Sequence, residues 1–150
     1  MPKLIAFLPC EKIIVDENHT SSVIVIFQTI TAQVPANAEM PQNAVAPKEW
    51  AIFTTWEPLP EDVGSTVRQI VQVLWPDDTE FQRTPPTPIH FKNDRPQQVR
   101  LNIFGFPIGK TGKITFNVWL EDSGGQRIGA THSCSAWVDH KVEAAAAVQQ

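Results

Sequence analysis

The chain has 150 residues, 12 basic and 16 acidic side chains, a formal charge of −4 and 42% hydrophobic residues. That length fits a single domain, and a charged fraction of only 19% beside an ordinary apolar content excludes a disordered chain. The acidic balance supplies no basic footprint for nucleic acid. Thirteen prolines argue against long helices, since each costs about 3 kcal/mol in a helix interior.

In chain order, the dominant hydrophobic period is two and the punctuation is proline and glycine. Leu4–Cys10 reads as a strand that continues or restarts over Lys12–Asp16, and Asp16-Glu17-Asn18-His19 reads as a turn. Ser22–Ala32, rich in Val, Ile and Thr, is a strong strand signal. Val34–Pro47, with three prolines and four alanines, reads as a long loop. Trp50–Trp56 and Thr66–Trp75 are strands, and Phe81–Asn93, carrying Pro85, Pro86 and Pro88, offers only an irregular edge strand.

The last third alternates most clearly. Val99, Leu101 and Ile103 oppose Arg100, Asn102 and Phe104, and Ile114, Phe116, Val118 and Leu120 oppose Thr115, Asn117, Trp119 and Glu121. Asp122-Ser123-Gly124-Gly125 is a hairpin turn, and Arg127–Val138 returns as the final strand. About eight short strands with frequent turn signals predict an all-β domain, a single antiparallel β-sandwich over residues 1–138. A small closed barrel is the alternative. The alanine-rich tail, 139–150, is compatible with a short helix that needs a docking surface.

No apolar run exceeds five residues, so a membrane-spanning helix is not expected, and the opening segment is too short for a secretory h-region. A cytoplasmic protein is therefore expected. In that compartment Cys10 and Cys134 are expected as free thiols, although a bridge between the first and last strands would also satisfy the sequence.

The opening Phe7-Leu8-Pro9-Cys10-Glu11-Lys12-Ile13-Ile14-Val15-Asp16 and the closing hairpin Phe116-Asn117-Val118-Trp119-Leu120-Glu121-Asp122-Ser123-Gly124-Gly125 resemble a family of small bacterial proteins of unknown function. The resemblance implies a bacterial or phage origin and an immunoglobulin-like sandwich, and it carries over no catalytic or binding residue. The Cys…Trp…Cys pattern of antibody domains is absent.

Motifs for catalysis or cofactors do not stand up to their spacing. Gly105-Phe106-Pro107-Ile108-Gly109-Lys110-Thr111 has three residues between its glycines where a phosphate loop needs four, and a strand follows at Ile114. His19, His90, His132 and His140 are dispersed, and Asp77, Asp78 and Glu80 lack the glycine-bearing loop of a calcium site. No cofactor, metal or catalytic residue is expected, and the chain reads as non-enzymatic.

The aromatics carry what functional signal there is. Trp119 and Phe104 fall on the polar phases of their strands. If those strands pair, Phe104 and Trp119 with Arg100 and Asn102 form an outward patch suited to a protein partner or to self-association. Trp50, Trp56 or Trp119 as stacking platforms would instead make a carbohydrate-binding module. Neither nucleic acid nor membrane is expected as a partner.

Overall fold

In the computed structural model, which describes residues 1–143, the chain forms ten strands and no α-helix among the described residues. They are β1 (Lys3–Val15), β2 (Ser21–Ile26), β3 (Thr29–Val34), β4 (Val45–Glu57), β5 (Thr66–Leu74), β6 (Glu80–Arg83), β7 (Thr87–His90), β8 (Gln97–Pro107), β9 (Gly112–Glu121) and β10 (Arg127–Val142). The all-β expectation holds. The strands form two sheets, one ordered β2-β1-β4-β8 and the other β3-β10-β9-β5-β6, with β7 also on β5.

Two runs that read as single strands are each divided, which accounts for ten strands where about eight were expected. Within Ser22–Ala32 the chain leaves the first sheet at Ile26 and enters the second at Thr29. The crossing is fixed by Phe27, whose ring is buried between Trp50 and Phe106, and by backbone bonds Phe27 N–H to Pro9 O and Trp137 N–H to Gln28 O. Within 81–93, Thr84-Pro85-Pro86 separates β6 from β7, because consecutive prolines cannot donate to a ladder.

Pairing is antiparallel throughout except between β3 and β10, where Thr29–Val34 runs parallel to Trp137–Val142. That ladder also corrects the expectation for the tail. Asp139–Val142 continues the final strand beyond Val138, since the edge of β3 satisfies its backbone. The helix expected of the remaining tail lies outside the described residues. The loop after Val34 is shorter than expected, because Val45–Pro47 already belongs to β4. Pro47 is accommodated at a register shift between Ala46 and Glu49.

A single hydrophobic core draws on both sheets, with Trp50, Ile52, Val99, Ile103 and Phe106 from the first and Val71, Val73, Ile114, Phe116 and Val118 from the second. Trp50 meets Phe116 edge-on across the sheets at 5.6 Å. The inward set Ile114, Phe116, Val118 and Leu120 is buried as the alternation predicts. Gln69 is the polar keystone. Its side-chain oxygen accepts from Thr54 Oγ1 at 2.6 Å and Trp56 Nε1 at 2.7 Å, joining β4 to β5 inside the core.

Candidate interaction surface

The curl of the first sheet positions its outer surface. Lys3–Cys10 of β1 pairs with β4, but from Cys10 onward β1 leaves β4 and pairs only with β2. The two strands form a ribbon, residues 10–26, closed by a tight turn. Asp16 Oδ1 accepts from the amides of Asn18 and Thr20 at 2.8 Å each, and His19 takes the left-handed conformation at φ 59°.

The ribbon folds back toward the outer face of β8. Its tip is pinned there by Ser21, whose hydroxyl donates to Gln98 Oε1 at 2.8 Å and accepts from Arg100 Nε at 2.8 Å. Arg100 Nη2 also donates to Gln98 Oε1 at 2.9 Å. A cleft of about 500 Å³ remains between ribbon and sheet, lined by Glu11, Lys12 and Ile13 on one side and Glu49, Asn102 and Phe104 on the other.

Three of the four residues expected to form an outward patch are therefore on one face. Arg100, Asn102 and Phe104 are all exposed, Phe104 to 68%. Trp119 is not with them. β8 pairs with β4, and β9 belongs to the other sheet, so the strand pairing that would have joined Phe104 to Trp119 does not occur.

Trp119 is instead 1% exposed, although it lies on the face of β9 away from the core set. The guanidinium of Arg127 stacks 4.0 Å from its ring centroid, that of Arg83 lies at 5.3 Å, and its indole N–H donates to Glu121. Alternation correctly gave its face but not the long side chains that neighbouring strands lay over it. Trp50 and Trp56 are also buried, their indoles donating to Gly105 O and Gln69 Oε1, so none of the three rings offers a stacking face.

The residues sequence reasoning missed are on the ribbon. Ile14, Val15, Ile24, Val25 and Ile26 are all exposed, Val25 to 56% and Ile26 to 50%. The signal was present in the run Val23-Ile24-Val25-Ile26, but a continuous apolar run reads as a strand buried on both faces. Only the sheet order places it at an edge.

Several of the remaining chemistry-bearing groups have structural partners. Lys110, in the glycine-bounded stretch, connects β8 to β9 and binds Asp77 at 2.7 Å while covering Trp75. That contact, with Thr79, holds the Asp77 carboxyl well below the usual carboxylate range. Hydrogen bonds from Gln72 and then Arg83 lower Glu80 as well. His132 packs edge-on to Trp56, His90 bonds Thr66, and His140 bonds the Ile108 carbonyl. Cys10 and Cys134 are both free, on different sheets. Burial pushes the Cys10 thiol up, partly offset by the Lys12 amide, and pushes Cys134 up to about 12.

Among the described residues, no group of three or more His, Cys, Asp or Glu side chains could hold a metal ion, and no helix is long and apolar enough to cross a membrane. No protein-family model matches the chain, and no curated protein matches it either.

Proposed function

We propose that this chain is a non-enzymatic, immunoglobulin-like β-sandwich domain that acts through protein–protein contacts made by the β1–β2 ribbon and the adjoining face of β8. One core shared by both sheets supports the sandwich reading. Strand order supports the immunoglobulin-like one. With β1, β4 and β8 taken as strands A, B and E, and β5, β9 and β10 as C, F and G, the neighbours A-B-E and C-F-G fall together. The likeness of Phe7–Asp16 and Phe116–Gly125 to small bacterial or phage proteins agrees with this reading.

The observation that carries the functional proposal is the ribbon's composition. A two-stranded ribbon is marginal in water by itself, and this one turns five aliphatic side chains outward. Each Val or Ile contributes about 1.5–3 kcal/mol when fully buried, so the ribbon gains most when another polypeptide covers it. Phe104 is also exposed, across the cleft from Ile13 of the ribbon.

A photo-crosslinking residue at Val25, introduced in producing cells, tests the proposal. Covalent adducts with protein are expected from Val25 and not from a control at exposed Lys92. Equal labelling at both positions, or none at Val25, overturns it.

A further inference from the structure

The second sheet carries a separate feature on its face away from the core. Trp137 of β10 is 52% exposed, whereas Trp50, Trp56, Trp75 and Trp119 are all buried. We infer that Trp137 and the polar side chains beside it bind a neutral glycan, with one pyranose ring stacked on the indole.

Strand alternation fixes the orientation of the ring. Ala136 and Val138 are buried in the core, so Trp137 between them points outward, in phase with exposed Ser135 and Asp139. The parallel ladder sets Thr29 of β3 beside Trp137 and Thr31 beside Asp139, and both threonines are exposed. On the other flank, the antiparallel ladder sets exposed Lys113 of β9 beside Trp137. The indole thus stands at the centre of a three-stranded platform, roughly 10 Å across.

This setting differs from that of Trp119 on the same sheet. Around Trp119 the polar groups satisfy one another. Arg127 and Arg83 cover its ring, and Ser133, Asn117, Gln72 and Glu80 form a chain of side-chain hydrogen bonds that ends at Arg83. Among the described residues no cation lies over Trp137, and the ion pairs include neither Asp139 nor Lys113. The ring and its polar rim are both open to solvent.

The rim selects the class of ligand. A tryptophan that anchors a protein contact sits in a well-packed, desolvated, apolar centre. At the paired and adjoining positions on its own face, Trp137 has only hydroxyl, carboxylate and ammonium neighbours. A pyranose with equatorial hydroxyls has the complementary form. Its axial C–H groups present an apolar face to the indole, and its hydroxyls leave the ring edge where the polar side chains stand. Asp139 accepts, Lys113 donates, and Thr29, Thr31 and Ser135 do either. One carboxylate and one ammonium balance beside the ring, which favours an uncharged sugar. An indole has only two side-chain torsions to fix, so ordering it costs little.

Titration of the full chain with cellohexaose and with chitohexaose, followed by tryptophan fluorescence and calorimetry, tests the inference. Stacking should move the emission of the exposed indole to shorter wavelength and protect it from acrylamide. Saturable binding of at least one oligosaccharide is expected, with a dissociation constant of about 0.1–1 mM for so small a contact. Trp137→Ala should weaken it by about tenfold or more, because the stacking face is gone, without lowering the melting temperature. Trp137→Phe should retain part of the affinity, and Asp139→Ala should weaken it severalfold. No saturable binding of either oligosaccharide, or binding that Trp137→Ala leaves unchanged, overturns the inference. An oligomer lost in Trp137→Ala, with neither sugar bound, also overturns it and assigns the ring to a protein contact. The site is on the other sheet from the ribbon, so its failure leaves the Val25 crosslinking result untouched.

Discussion

Arg127 holds its guanidinium 4.0 Å from the ring centroid of Trp119, and this stack, with Arg83 5.3 Å away, seals an indole that strand alternation points away from the core. The contact joins β10 to β9 on the outer surface of the second sheet. It accounts for a large aromatic on a polar phase without any external ligand.

Trp119→Ala is therefore expected to destabilise the fold by about 3–5 kcal/mol, the range for truncating a buried large aromatic, while leaving assembly unchanged. Arg127→Ala should lose about 1 kcal/mol, as for a partly exposed cation–π contact. Urea denaturation and sedimentation measure the two effects separately. A change of oligomeric state with unchanged stability in Trp119→Ala would show that the indole serves an interface after all.

Gln69 gives the core's sharpest polar prediction. Gln69→Leu leaves the Thr54 hydroxyl and the Trp56 indole N–H without the acceptor they share. Each buried orphan costs about 1–3 kcal/mol, but the substitution also removes Gln69 Nε2, a buried donor that has no partner in the native fold, so a net loss of roughly 1–3 kcal/mol is expected in chemical denaturation. Near-wild-type stability would mean that the two donors have another acceptor.

The thiols should be slow rather than bridged. Because burial raises both, and Cys134 to about 12, almost no thiolate exists at pH 8. A disulfide-exchange reagent should find few reactive groups in the native protein and two after unfolding. Rapid native reaction, or fewer than two thiols when unfolded, contradicts free thiols of which Cys10 is buried and Cys134 half-buried.

Acid titration reads the Lys110–Asp77 contact. The Asp77 carboxyl is depressed in the folded chain, first by the Lys110 hydrogen bond and then by Thr79. Its stabilising contribution is accordingly present above the unfolded carboxylate pKa of about 3.9 and fades as pH falls toward the folded value. In Lys110→Ala the Asp77 midpoint, followed by carboxyl NMR, should rise. An unmoved midpoint would assign the depression to Thr79 alone.

Much of the fold was legible because burial follows a period of two. Ile114, Phe116, Val118 and Leu120 were placed inside from their spacing, and they are buried. What periodicity cannot convey is which strands become neighbours. Phe104 and Trp119 lie on successive strands of the sequence yet on different sheets, so their patch failed for a reason of topology. The division at Phe27 was equally hidden, since Ser22–Ala32 keeps a strand-like composition while the chain changes sheets. The exposed ribbon was missed because an aliphatic run carries no mark of whether it sits at a centre or an edge. Trp50 and Trp56 shared a face as expected, but only the positions of Gly105 and Gln69 reveal that their polar ends are satisfied inside.

The parallel ladder between β3 and β10 has a consequence for how the chain reaches this state. It brings Thr29 beside Trp137 and Val34 beside Val142, residues far apart in sequence. Such contacts impose loop-closure entropy before they return any stabilisation, and domains dominated by them fold in milliseconds to seconds rather than microseconds. During synthesis β3 has no partner until β10 emerges, long after β2 and its uncharged edge have left the ribosome. The nascent chain thus carries β3 unpaired until the last strand arrives, and the rate at which β10 docks sets how long β3 remains open to wrong partners.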